Sequence, residues 1–264
     1  MARFNGLPKV HKHDSSLRPI ISLRGTPTFN LANWLFRRLN CLIPYSDTMV
    51  RSAANFLERL GGLHLKADIV VVSFDVTSLF TSIPQSLAIE TVGELLENRY
   101  DEGTVYEQIE GTPMGLPLSG FIAEAVLQKL ETVVFTNHRP ILWVRYVDDT
   151  FVVRKREMVA EFHALQNSIY PDIQFTMEAE VNSQMAFLDV LVHRKTDGSL
   201  RTTVYRNATN TRQALSYQSN HPLCHKRSCL RTLYKRVETH CSEKDDKASE
   251  LHYFQRMFTS RLPS

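Results

Sequence analysis

Apolar residues follow one another at strand spacing in some stretches of this chain and recur every three to four residues in others. Residues 68–75, DIVVVSFD, form a continuous β-branched run, the mark of a strand buried on both faces, and the run ends on Asp75. Apolar runs at 141–144 and 151–153 flank Arg145 to Thr150 and predict a tight β-hairpin with Asp148 and Asp149 at or beside its turn. Further strands are predicted at 17–22, within a basic hairpin over 6–22, and at 105–109, 173–180, 185–193 and 200–206. Helical spacing covers 29–42, stopped by Pro44, and 52–60, ended by Gly61 and Gly62. It returns at 85–99 after Pro84, then in a long helix that opens from the small-residue loop 111–120 and runs through Phe135. Helices at 158–169, 226–239 and 249–258 complete the pattern, which predicts an α+β chain without internal repeats.

Composition adds bounds. A chain of 264 residues that is 43% hydrophobic can bury a core, as one large domain or two or three subdomains. No apolar run reaches the roughly 18 residues of a membrane span, and the first residues lack the apolar core of a signal peptide, so the expectation is an intracellular protein with no membrane partner. Four cysteines, Cys41, Cys224, Cys229 and Cys241, are too few and too unevenly placed for a disulfide framework. Charge is segregated. Residues 1–38 hold seven Lys/Arg and one acid, residues 39–192 hold ten basic and 21 acidic residues, and residues 193–264 hold 14 and six. Basic ends around an acidic centre suit a polyanion gripped from two sides of a metal-binding core, although solvated charged faces also explain much charge patterning.

The acidic pair at the hairpin is the candidate chemistry. Adjacent carboxylates repel and raise one another's pKa unless a cation neutralises them, while an ordinary surface turn is the bland alternative for Asp148 and Asp149 alone. The order of elements changes that weighing: an acid-ending strand, a helix, a Gly/Pro loop with a long helix, then the acidic hairpin. This order can bring Asp75, Asp148 and Asp149 to one rim of an antiparallel sheet, where hard oxygen ligands call for Mg²⁺ or Mn²⁺. Two such ions serve the in-line chemistry of nucleotide addition to a 3′-hydroxyl.

These stretches together resemble the palm and fingers of a reverse transcriptase. SFDVTSLF at 73–80 is similar to the first palm motif, 111–119 to the second, YVDD at 146–149 to the third, and FLDV at 187–190 to the primer-grip region. GLPKVHK at 6–12, TSLFTSIP at 77–84 and the tail from Tyr205 through His221 and Pro222 to Ser228 resemble Penelope-like retroelements. The resemblance implies a right-hand palm, an antiparallel sheet with packed helices, with partial fingers at 1–66, the palm at 67–193 and a basic, mainly helical thumb at 194–264. It implies Asp75, Asp148 and Asp149 as the catalytic carboxylates and metal ligands, with Val76 lending its backbone carbonyl. Arg18 would grip an incoming triphosphate, helped by Lys9 or Lys12, between which the sequence does not choose. Phe80 would sit under the sugar and exclude a 2′-hydroxyl, or it is a plain core aromatic. Gly115 would let the backbone approach the nascent base pair, unless the loop is only a helix lead-in, and Met114 stands where many relatives carry Gln. Lys226, Arg227 and Arg231 would contact nucleic acid from the thumb, which is equally readable as a helix-turn-helix-like module. The implied partners are an RNA template, a DNA primer and deoxynucleoside triphosphates, with an endonuclease module absent from this chain. An inactive remnant that only binds nucleic acid and an RNA-dependent RNA polymerase are the alternatives. A zinc reading of His221, Cys224, His225, Cys229, His240 and Cys241 fits no common finger spacing.

Overall fold

A computed structural model describes residues 3–8, 17–22, 25–43, 46–97, 117–207 and 219–259. The β-branched run becomes strand β3 (Ile69–Val76), buried along nearly its whole length as its composition demands. It lies inside a four-stranded sheet of order β4-β5-β3-β6, formed with β4 (Leu142–Tyr146), β5 (Asp149–Lys155) and β6 (Phe175–Ala179). A second hairpin pairs β1 (Arg3–Pro8) with β2 (Leu17–Ser22), antiparallel, and a third sheet runs in the order β7-β8-β9 from β7 (Gln184–Phe187), β8 (Val190–Arg194) and β9 (Leu200–Val204). The helices are α1 (Pro27–Leu39), α2 (Ala53–Leu60), α3 (Leu79–Ser82), α4 (Gln85–Glu97), α5 (Pro117–His138), α6 (Val159–Ile169), α7 (Leu223–His240) and α8 (Lys244–Thr259).

The chain divides into two compact units. The first holds 1–49, 74–150 and 157–177. Its hub is α5, which packs against α1, α3, α4 and α6. Phe74, Trp143, Phe135 and Phe162 interlock beside it, with Trp143 edge-on to Phe135 at 5.3 Å and to Phe162 at 5.9 Å. On the outer side Lys129 reaches Glu90 at 2.6 Å and Glu94 at 2.8 Å, tying α5 to α4.

The second unit holds 50–73, 151–156 and 178–264. Ser52 caps α2 by accepting the Asn55 N–H at 3.3 Å, and the helix buries Phe56 against Phe151 and Phe187, ring centroids 5.0 and 4.8 Å away. Helix α7 packs against α2, β9 and α8, and Arg206 pairs with Glu250 and stacks on Tyr253 at 4.0 Å.

Several expectations change. The strand expected over 185–193 is a hairpin, because Leu188 and Asp189 both take left-handed backbone, φ 48° and 64°, and reverse the chain. The strand expected from 173 begins at Phe175, α8 begins at Lys244 rather than 249, with Asp245 and Asp246 in its first turn, and the short α3 was not expected. The predicted strand 105–109 and loop 111–116 lie outside the described residues.

Candidate active site

Asp75 is the penultimate residue of β3, half-buried, between the buried side chains of Phe74 and Val76. Its backbone carbonyl accepts a bond from Thr176 Oγ1 at 3.2 Å, and the Thr77 N–H donates to Gln174 at 2.9 Å, so β6 secures this strand end from one side. On the other side Thr150, fully buried in β5, donates its hydroxyl to the Phe74 carbonyl at 2.8 Å and accepts the Phe74 N–H at 3.1 Å. Further along the same pair of strands, the Arg156 N–H reaches the Asp68 carbonyl at 2.9 Å. Asp75 near the end of β3 and Asp149 at the start of β5 therefore belong to neighbouring strands of one sheet.

The hairpin turn is not Asp-Asp but Val147-Asp148, with Asp149 already the first residue of β5. Val147 has φ 58°, a conformation that costs a β-branched residue about 1–3 kcal/mol. Tyr146 and Val147 are exposed, and Asp148 and Asp149 are half-buried.

Behind the turn lies a charge network that the sequence reading missed. Arg145, buried to 1% exposure, donates Nε to Glu131 at 2.6 Å, and Nη1 and Nη2 to the two oxygens of Glu124 at 2.8 and 2.9 Å. Nη1 also donates to the Val147 carbonyl at 3.1 Å. Glu131 further accepts Trp143 Nε1 at 2.9 Å and Thr48 Oγ1 at 2.6 Å, and the Arg145 N–H donates to the Thr48 carbonyl at 2.8 Å. Burial works against the charged forms of both partners. The hydrogen bonds and charge of Arg145 nevertheless hold the Glu124 carboxyl below its usual range, and Glu124 and Glu131 hold the guanidinium above its own. Glu124 and Glu131 lie seven residues apart on one face of α5, a spacing that hints at a shared partner without naming Arg145 as that partner.

The remaining predicted residues fall as follows. Ser78, left-handed at φ 54°, turns the chain into α3, on which Phe80 is half-buried beside the buried Leu79. The Val76 side chain is buried, which leaves only its backbone to a ligand. Arg18 sits in β2 opposite Leu7. Lys9, Lys12, Met114 and Gly115 lie outside the described residues. On α7, Arg227 and Arg231 are exposed along one face with Lys235, whereas Lys226 is half-buried and donates to the Ser219 carbonyl at 2.6 Å. Of the thiols, Cys41, Cys224 and Cys229 are exposed and Cys241 is buried. Among the described residues no group of three or more His, Cys, Asp or Glu stands close enough to hold a metal ion, which covers the zinc reading as well as the acidic site. The acidic donors are nevertheless right in kind for Mg²⁺ or Mn²⁺: carboxylate oxygens from β3, β5 and the β4–β5 turn. No helix among the described residues is long and apolar enough to cross a membrane.

Comparison with known proteins adds three findings. Residues 10–170 match the family model described as reverse transcriptase (RNA-dependent DNA polymerase), and residues 213–261 match the animal helix-turn-helix domain. The fold is similar to that of telomerase from Candida albicans in complex with a fragment of telomeric RNA, with TM-score 0.61 and 13% identity over 97% of this chain and 54% of that one. Telomerase from Candida tropicalis gives 0.54 and 12% over 98% and 53%. The chain thus spans about half the length of the solved structures it matches, and it carries their α+β polymerase fold of antiparallel sheets and packed helices. No curated protein matches it in sequence.

Proposed function

Since the chain belongs to the reverse transcriptase (RNA-dependent DNA polymerase) family, we propose that it is an RNA-directed DNA polymerase of a Penelope-like retroelement. It adds deoxynucleotides to a primer 3′-hydroxyl. The observation that carries this reading is that Asp75 lies near the end of β3 while Asp148 stands in the turn before β5 and Asp149 opens it, β3 and β5 being neighbouring strands. Relatives in this family generally use divalent metal ions. Two Mg²⁺ or Mn²⁺ ions bound by Asp75, Asp148, Asp149 and the Val76 carbonyl would lower the pKa of the attacking hydroxyl and offset charge on the leaving pyrophosphate. The chain's own part is positional: β3 and the 147–148 turn present the carboxylates, Phe80 on α3 discriminates at the sugar, and Arg18 with Lys9 or Lys12 orients the triphosphate. Met114 and Gly115 border the nascent pair.

In the same reading, 1–66 are partial fingers, 67–193 the palm and 194–264 the thumb. The exposed row Arg227, Arg231 and Lys235 on α7 suits phosphates of a template–primer duplex. The animal helix-turn-helix match over 213–261 and the α7–α8 pair agree with a basic helical module there, and with the retroelement subtype.

Primer extension on an RNA template tests the reading, comparing the chain with Asp148→Asn and Asp75→Asn in Mg²⁺ or Mn²⁺. The expected result is elongation with deoxynucleotides, not ribonucleotides, that either substitution abolishes. Undiminished extension by both variants refutes the site. Retained duplex binding without extension by any of the proteins identifies an inactive remnant, and a preference for ribonucleotides identifies an RNA polymerase.

A further inference from the structure

The network around Arg145 has more contacts than its charges require. Two of the three groups that the guanidinium binds are the carboxylates of α5, which account for the burial of the cation. The third is the backbone carbonyl of Val147, the residue whose left-handed φ makes the turn. That bond does nothing for charge balance. It holds a strained peptide one residue before Asp148 and two before Asp149. The arginine is itself held on two sides: α5 grips its side chain through Glu124 and Glu131, while Trp143 and Thr48 hold Glu131 in turn. Helix, strand and turn are thus joined through one planar group whose donors diverge in fixed directions, a geometry that a lysine ammonium cannot reproduce.

We propose that Arg145 is a positioning residue for the acidic site: the Glu124–Arg145–Glu131 network fixes the height and tilt of the 147–148 turn, and through it the carboxylates of Asp148 and Asp149. This rests on the reading of those carboxylates as the polymerase centre. The rival account is a purely structural ion network, and the two differ in what happens when the network is replaced by neutral groups of similar shape. Buried ion networks exchanged in this way frequently leave the fold intact. A structural role is then satisfied and a positioning role is not.

The test uses the full chain with Arg145→Met/Glu124→Gln/Glu131→Gln, and Arg145→Lys as a second variant that keeps the charge and therefore the fold. Hydrogen exchange is read on peptides spanning 142–153, Mn²⁺ affinity is measured by calorimetry without substrate, and primer extension is separated into kcat and KM. In both variants exchange across the turn is expected to rise by about tenfold and Mn²⁺ affinity to fall by about tenfold. kcat is expected to drop on the order of 100-fold with KM for deoxynucleotides nearly unchanged, the size of effect that a misplacement of about 1 Å produces. Wild-type exchange at the turn in whichever variant folds overturns the proposal, as does wild-type Mn²⁺ affinity. The underlying reading fails separately: if Asp148→Asn extends primers like the wild type, the site assignment falls whatever Arg145 does. If Asp148→Asn is dead and the Arg145 variants exchange and bind normally, only the positioning role falls.

Discussion

Thr150→Val replaces a hydroxyl with a methyl at constant shape, in a strand, at a position with no solvent exposure. Hydropathy and β-propensity both favour valine there. The structure favours threonine, because its Oγ1 donates to the Phe74 carbonyl at 2.8 Å and accepts the Phe74 N–H at 3.1 Å, and valine removes both bonds from a buried strand pair. Leaving a buried polar group without its partner costs about 1–3 kcal/mol, so two groups give about 2–6 kcal/mol. Thr150→Ser keeps the hydroxyl and loses only a methyl, about 1 kcal/mol. With a urea slope of about 3 kcal/mol per M, the valine variant should unfold roughly 1 M earlier than the wild type, and the serine variant should fall between them. The assay is urea titration followed by tryptophan fluorescence, with Trp143 reporting from the same core. A valine variant as stable as the serine variant, or more so, would refute the argument, since it would mean that the hydroxyl carries no net bond energy.

Other predictions concern different parts of the molecule. Phe56→Ala should cost about 3–5 kcal/mol, because the ring is fully buried against Phe151 and Phe187; a loss below 1 kcal/mol by denaturant titration would show that the trio does not hold its unit together. His193 and His240 are held below the usual histidine range, chiefly by burial, with Arg201 and Arg236 respectively adding to it against Asp246 and Asp189. Their neutral forms therefore stabilise the fold fully above the ordinary histidine pKa of about 6.5, and that contribution is lost as pH falls from there through the lower folded-state value. Melting curves of His240→Gln should accordingly show a shallower decline between about pH 7 and 5, and an unchanged slope would count against the assignment. Arg231→Ala should weaken binding of an RNA–DNA duplex uniformly across sequences and reduce the salt slope of log K by about one, as measured by fluorescence anisotropy; an unchanged slope would remove α7 from the interface.

Much of the fold is legible in the sequence where a single physical signal dominates. The β-branched run leaves β3 no alternative to a doubly buried strand, and the apolar flanks of YVDD mark β4 and β5. The 188–189 turn escapes because neither Leu188 nor Asp189 is glycine or asparagine; the reversal comes from β7 pairing with β8, a tertiary preference that overrides local propensity. Helix α3 is too short to show a period. At the site, the three aspartates stand out as acids in apolar surroundings. Arg145, Glu124 and Glu131 do not, because a buried charge and a solvated one look alike until their partners are known.

The division of the thiols has a practical consequence. Cys241 is buried and its thiol is pushed up chiefly by that burial, so it is a poor nucleophile, while Cys224 and Cys229 stand on the solvent side of α7. They lie among the arginines proposed to meet nucleic acid, on a helix whose packing they do not support. A brief pulse of maleimide at neutral pH therefore labels α7 and the exposed Cys41 without loosening the fold. After Cys41→Ser, the alkylation rate becomes a footprint of whatever covers that helix, read by mass spectrometry from the chain itself.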